Sequence, residues 1–531
     1  MATARPSEQA KSVVRFAGQL ISEGRSDEAL ASVEHVLREV LEHVDRLKLE
    51  NQKLRKARYG RLSEKISVDQ LALFVQAALE ARPTEPAPPA PPPESDAPVA
   101  PPTKRRGSTG RRELPADLPR EERVYEPAAA ECQCAVCGVA KSVIGYETSE
   151  ELEYVPATLK VIVHKRAKYA CRPCQGEVVV APAPPKVIDK GLPGPGLLAA
   201  VTLSKYGHGL PLNRQEAIWE LAGHRLPRST TAGWVEATAE LLAPVVERIR
   251  VRALSAHVLH CDDTGICVLD RDHPKGSKRG HLWVYLGDEE WAVYDYTPNW
   301  TKAGPVRFLA ERRGWLVADG YAGFDEVFER PEVRAAGCWA HARRYFVEAL
   351  ESGDARASLA LRWMQALFAV ERRASDDGLN ADDCLALRRS ESVPLIHGLG
   401  QWLAATANDE SVEPKSPLRQ AVGYTLGRWP ALLAFLEDGR VPMTNNAAER
   451  ALRRIAVGRK NWLFAGSDAG AQRAAIAYSV LATCQLQGVE PWSYLRDVLA
   501  KIAAGWPARR IDELLPDRWA AENPELVGAR S

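Results

Sequence analysis

The sequence predicts a multidomain α+β protein: a mixed α/β core with a helical insertion, preceded by a coiled coil, a small metal-binding domain and a helical region resembling helix-turn-helix. Three observations predict it. A seven-residue apolar repeat runs through Val33 to Arg58, two Cys-x-x-Cys knuckles follow a Pro-rich stretch, and strands rich in aromatic and β-branched residues cluster between His257 and Trp339. At 531 residues the chain exceeds what one hydrophobic core supports, so several domains are expected. Lys and Arg total 70 against 69 Asp and Glu, a formal charge of +1. Net charge therefore carries no nucleic-acid signature, and any DNA contact must come from local basic clusters. Met1 to Ser7 is small and polar, unlike a signal peptide, and no apolar run is long enough to span a bilayer. A cytoplasmic protein without a membrane partner is expected.

Each element follows in order. Val33, Val40, Leu47 and Leu54 repeat every seven residues, with Leu37, Val44 and Asn51 as the partner row. Such a seam predicts a leucine zipper, with Asn51 setting register, and hence a homodimer or higher oligomer; an amphipathic helix packed on its own chain is the alternative. Pro83 to Thr103 is Pro- and Ala-rich and reads as an extended tether, followed by Lys104, Arg105, Arg106, Arg111 and Arg112. Of ten cysteines, five lie between Cys132 and Cys174, a crowding that favours metal binding over a disulfide framework. Cys134-x-x-Cys137 and Cys171-x-x-Cys174 supply four thiolates for one structural Zn²⁺, with Cys132 as a substitute for Cys134. All four positions would be filled by thiolate, which leaves no open site for catalysis.

Between Gly194 and Val246 the pattern predicts three helices: Leu197 to Tyr206, Leu212 to Leu221, and Ser229 to Leu241, with Ser229 as N-cap. If the last helix reads DNA, Arg228, Ser229 and Thr230 at its start are the first contacts; a plain helical connector is the other reading. Next come strands at His257 to Thr264, His281 to Leu286 and Trp291 to Tyr296, the last two joined by a Gly287-to-Glu290 turn. A helix at Val306 to Arg312, a strand at Trp315 to Ala318 and a further strand at Arg334 to Trp339 complete the run. Three strands, a helix, a strand and another strand is the order of an RNase H-like fold. In that order acids at the ends of the first and fourth strands, Asp262 and Asp319, fall side by side. Carboxylates so placed suit two Mg²⁺ ions about 4 Å apart, which activate an oxygen nucleophile and stabilise a departing oxyanion. Glu449 has two open roles on its residues alone: a third acid, or the closing residue of a capping box begun by Asn446.

Four stretches carry a resemblance: LHCDDTG, VADGYAGF, CWAHARRYF and NNAAERALRRIAVGRKNWLFAGSDAGAQRAA. Together with LPLNRQEAI, the knuckles, the heptad helix ending in Tyr59 to Lys65 and the closing LLPDRW, they closely resemble the transposase of the insertion-sequence sixty-six family, of DDE type. The likeness covers nearly the full chain apart from the Pro-rich tether and parts of the helical stretch after Arg344. It implies an acidic triad on an RNase H-like core using two Mg²⁺ or Mn²⁺ ions, with Asp262 first, Asp319 second and Glu449 third. Asp263 stands where the family usually has Glu, and Gly265 replaces a usual Pro. Because side chains alternate on a strand, only one of Asp262 and Asp263 faces the metals, and Asp262 is chosen.

The implied activity is binding of element ends, metal-dependent DNA cleavage and strand transfer to a target, with accessory proteins of the same element as further partners. An inactive, transposase-derived DNA-binding regulator is the alternative, and a nuclease that cleaves without joining is another. Cys338-x-x-His341 reads as packing near the site, with a second zinc as the lesser possibility. Arg453, Arg454, Arg459 and Lys460 beside Trp462 suit a DNA backbone and an unpaired base, or form a solvated helix face. The expected divisions are 1–80 (helical, with the coiled coil), 81–118 (linker), 119–188 (zinc-binding), 189–250 (helical, DNA-binding), 251–345 and 441–500 (core), 346–440 (helical insertion) and 501–531 (tail). Nucleoid association within the bacterial cytoplasm follows from the resemblance.

Overall fold

The computed structural model describes Arg25, residues 159–169, Val179–Val180 and residues 182–528. The heptad helix, the Pro-rich tether and Cys134, Cys137, Cys171 and Cys174 lie outside the described residues. Pro184–Gln215 with Pro227 onward form one compact unit, and Glu216–Leu226 groups with the segment ending at Ala183 in a second. Lys168–Tyr169 and Val179–Val180 pair as a short antiparallel ladder.

The three helices expected after Gly194 are α1 (Pro195–Thr202), α2 (Leu212–Leu221) and α3 (Arg228–Ser255). Ser229 is not the N-cap of the third. Pro227 takes that place, its fixed φ of -58° with ψ of 141° turning extended chain into helix, and no side chain caps the end. Nor does α3 stop near Leu241: it runs 28 residues, through Pro244. Packing outweighs the lost hydrogen bond, because Val245, Val246, Ile249 and Ala253 continue the buried stripe of Trp234, Val235, Ala239 and Leu242.

Five strands make one mixed sheet: β1 (Val258–Leu269), β2 (Ser277–Gly287), β3 (Trp291–Thr297), β4 (Gly314–Val317) and β5 (Val333–Ala336). Their spatial order is β3-β2-β1-β4-β5; β1, β2 and β3 are antiparallel, whereas β4 and β5 run parallel to β1. Strand β1 is longer than its sequence suggests, pairing with β2 from Leu259↔Gly287 to Leu269↔Ser277. Asp288 and Glu289 both take positive φ in the β2–β3 turn, the hand that matches strand twist. Asp288 is held there by the amides of His257 and Val258, which donate to its carboxylate at 2.9 and 2.8 Å. Gly287 admits no side chain: a Cβ there would meet the Ala253 backbone at 2.8 Å. The helix between β3 and β4 is α4 (Ala303–Phe308), earlier than the expected Val306 to Arg312, and Trp339 opens a helix instead of closing β5.

Arg312 holds the crossover into the sheet. It is fully buried and donates to the carbonyls of Leu254, Ala256, His257 and Trp315, tying the end of α3 to the starts of β1 and β4. The β3 edge is closed by α10 (Asp468–Leu486). Ser479 Oγ accepts from the amide of Tyr294 at 2.8 Å, and Thr483 Oγ1 accepts from the Ala292 amide and donates to its carbonyl. Gln487, four residues on, donates to Glu290 O. The strand's outer backbone is thus paired to side chains one helical turn apart.

After β5 the chain is helical. α5 (Trp339–Glu351), α6 (Ala357–Asp376), α7 (Val393–Ala407) and α8 (Pro417–Gly427) lie between the sheet and α9 (Asn446–Trp462). Their apolar core is continuous with the sheet: Trp339, Phe346, Leu361 and Leu403 belong to the same buried cluster as Val258, Trp315 and Val317. Buried Arg388 fixes the return path, pairing with Glu371 at 2.7 Å and donating to the carbonyls of Phe435 and Val441. No described helix is long and apolar enough to cross a membrane.

Candidate active site

Asp262 and Asp319 are set side by side by strand register. The parallel pair β1–β4 aligns His260 with Val317, so Asp262 and Asp319 each stand two residues further along adjacent strands. Neighbouring strands are about 4.8 Å apart, which sets the two residues side by side in the middle of the sheet. Asp319 is fixed by the turn that follows it, its Oδ1 accepting from the Tyr321 amide at 3.0 Å. Arg428, just beyond α8, donates to Gly320 O at 2.6 Å and braces the same turn.

Glu449 does not close a capping box. Asn446 is the first residue of α9, the N-cap is Asn445, and the Asn445 side chain makes no cap bond. That side chain is spent on β1 instead. Its Nδ2 donates to Cys261 O at 2.8 Å, and its Oδ1 lies 3.1 Å from His260 Nδ1. Burial lowers the His260 pKa and keeps the ring neutral, so Nδ1–H is the donor to Asn445. Further along α9, Arg459 Nη1 donates to Thr264 Oγ1 at 2.9 Å and to Gly265 O at 2.5 Å. His260, Asp262 and Thr264 share one face of β1 by alternation. The helix carrying Glu449 is therefore clamped on either side of Asp262. His341 Nε2 of α5 lies 3.8 Å from Glu449 Oε1, and the buried Cys338 thiol accepts from the Asn445 amide at 3.2 Å. Cys338 and His341 thus pack beside Glu449 and the start of α9.

Asp263 faces the other way and is occupied. Its Oδ2 meets His281 Nδ1 at 2.5 Å, and its Oδ1 accepts from Trp300 Nε1 at 3.0 Å. Asp262 keeps one local bond, with the Asp263 amide donating to its Oδ1 at 2.8 Å. Burial, reinforced by the charges of Asp319, Asp263 and Glu449, pushes the Asp262 carboxyl up to about 7. Like charges gathered on a partly dry strand end are unfavourable alone and suit a hard divalent cation. No three described His, Cys, Asp or Glu side chains stand gathered as a finished metal cage. Magnesium sites commonly take few protein ligands and are completed by water and substrate phosphates.

Of the predicted DNA contacts, Arg453 and Lys460 are exposed on α9, while Arg459 is half-buried and committed in part to β1. Arg454 bonds Gln485. Arg228, Ser229 and Thr230 are exposed at the start of α3. Sequence reasoning missed His260, His281, Trp300, Arg428 and Asn445; an Asn directly before a helix that carries an acid was the one available signal.

Comparisons with known proteins find relatives over most of the chain. The profile described as Transposase IS66 family matches residues 190–473, and that of the IS66 C-terminal element residues 479–516. The zinc-finger binding domain of transposase IS66 matches residues 131–175, a span that includes both Cys-x-x-Cys knuckles, and Transposase C of IS166 homeodomain matches 46–123. Three proteins of Sinorhizobium fredii (strain NBRC 101917 / NGR234) are similar over most of their length. Uncharacterized protein y4hP is 36% identical over 443 residues, covering 78% of this chain and 78% of its own. Uncharacterized protein y4jD is 33% identical over 425 residues (77% and 82%), and uncharacterized protein y4qI 34% over 441 (80% and 79%).

Proposed function

The chain belongs to the IS66 family of transposases and carries its DDE domain, and from that premise we propose that it binds the ends of its element, cleaves DNA there and joins the cut end to a target. The observation that carries the reading is that Asp262 on β1 and Asp319 just past the end of the adjacent parallel strand β4 come together next to a helix that is clamped to β1 and bears Glu449. The strand order, three antiparallel strands continued by two parallel ones, supports an RNase H-like core.

Asp262, Asp319 and Glu449 are the residues that would hold two Mg²⁺ or Mn²⁺ ions, which supply the positive charge a phosphodiester displacement needs at its attacking and departing oxygens. Asp262 must shed its proton to serve, and burial, with the neighbouring acids, is what holds that proton. Asn445 ties the start of the helix that bears Glu449 to β1 next to Asp262, and His281 with Trp300 holds Asp263 on the opposite face. Arg453 and Lys460, exposed on α9, are placed to hold DNA backbone, with Arg459 contributing the donors that β1 leaves free. Arg228, Ser229 and Thr230 are assigned to recognition of the element ends. The four knuckle cysteines are assigned to one structural zinc, and the heptad helix to pairing two protomers. Action on bacterial DNA places the protein in the cytoplasm, with the nucleoid.

The test is a reaction of the full chain with labelled element-end DNA and Mn²⁺, beside Asp319→Ala. Cleaved and joined products from the native protein alone are expected. End binding without products from either protein, with the element's accessory proteins present, would overturn the catalytic reading in favour of a regulator.

A further inference from the structure

Trp300 sits in the loop between β3 and α4 and is 54% exposed. It is nevertheless held from several sides. Its indole N–H donates to Asp263 Oδ1 at 3.0 Å, and its carbonyl accepts from the Tyr321 hydroxyl at 3.2 Å. The ring stacks with His281, centroids 5.7 Å apart at 12°, and with Tyr321, 4.6 Å apart at 19°. At 54% exposure Trp300 keeps a large part of its surface in water despite these two ring contacts. The rings packed against it are themselves anchored to the acids: His281 Nδ1 meets Asp263 Oδ2 at 2.5 Å, and the Tyr321 amide donates to Asp319 Oδ1 at 3.0 Å. A rigid aromatic surface is thereby fixed beside the acids of both strands. An aromatic serving only the core would be buried, and one merely tolerated at the surface would lack these ties.

We propose that Trp300 is a stacking platform for one unpaired nucleobase next to the scissile phosphate. The proposal rests on the transposase reading and extends it to a residue outside the acidic triad. In duplex DNA the base faces are occupied by their neighbours, and a strand end bends toward an active site more readily once one base has left the stack. An indole accepts any base through its π-face, so the platform holds the end without specifying sequence. Its ties to Asp263 and, through Tyr321, to the turn at Asp319 turn that grip into registration of the phosphate.

The test uses the full chain without divalent metal and a duplex carrying a single-stranded dT overhang with one 2-aminopurine. Native protein is expected to quench the 2-aminopurine strongly on binding. Trp300→Ala should abolish the quenching and weaken overhang binding roughly tenfold, the loss of one stacked base. Trp300→Phe, which keeps a ring but loses the bond to Asp263, should retain part of the quenching, a pattern that a purely structural role would not produce. A 5-iodouracil in the overhang should crosslink to the peptide containing Trp300. Unchanged thermal unfolding of Trp300→Ala would show that the loss is local. Quenching equal in native protein and Trp300→Ala, with binding intact, would overturn the platform and leave the transposase reading standing. Failure of native protein to bind any DNA would overturn both.

Discussion

Replacing Asp262 by Asn should remove catalysis and make the metal-free protein more stable. Burial and the neighbouring acids raise the Asp262 pKa from an ordinary 3.8 to about 7. The native state therefore holds this proton more tightly than the unfolded chain, and its stability falls as pH climbs from about 4 to about 7 and stays low above that. A gap of about three pH units at 1.36 kcal/mol each amounts to about 4 kcal/mol, an upper figure because the folded site relaxes. Asn is neutral at every pH and its carbonyl still accepts from the Asp263 amide, so the variant escapes the penalty. Urea unfolding with chelator at about pH 4 and about pH 8 measures this. The two proteins should match at acid pH, and the variant should be more stable by a few kcal/mol at alkaline pH. Saturating Mn²⁺ should then stabilise the native protein by about 3 kcal/mol and the variant far less. A variant less stable than native at alkaline pH, or an offset independent of pH, would refute the reasoning.

Three further outcomes are expected. Asn445→Ala leaves the buried Cys261 carbonyl and His260 N–H without partners, and should cost about 3 kcal/mol in urea unfolding while lowering cleavage more than DNA binding. Arg312→Lys cannot span four carbonyls and should lose roughly 3 kcal/mol by thermal unfolding; a near-neutral result would show that the guanidinium is dispensable at the crossover. Leu463 has φ 59° in a tight turn where the Phe464 amide donates to Trp462 O at 2.7 Å, and its side chain is mostly exposed. Leu463→Gly should therefore raise stability by about 0.5–1 kcal/mol, read as a shift in urea midpoint.

Much of the sheet was legible because its signals are local. Alternation, the Gly287 turn and the acids directly after apolar runs lie within a few residues of one another. Where the reading stopped short, distant packing decides. Strand β1 continues past Gly265 because β2 pairs with it to Ser277 and because the Ala465 amide and carbonyl bond Cys267 and Leu269. Helix α3 passes Pro244 because its buried face is supplied by β3, α1 and α10, which no local propensity records. The candidate site divides the same way. Strand order singled out Asp262 and Asp319 as candidates and the family resemblance added Glu449, whereas the opposite facing of Asp263 is fixed by His281 and Trp300, residues 18 and 37 positions away. Asn445 reaches 185 residues back to His260, and nothing in its own neighbourhood foretells the partner.

The hydroxyls that close the β3 edge have a consequence for how the protein comes into being. All three acids of the proposed site have been translated by Glu449, yet Ser479, Thr483 and Gln487 leave the ribosome afterwards. Until they arrive, the amides of Ala292 and Tyr294 are an open template for another strand. A gene truncated between Glu449 and α10 would encode all three acids of the proposed site and still yield an unfinished sheet, prone to aggregate. Loss of the last part of the reading frame is thus expected to silence a copy of the element with no change at the proposed acids.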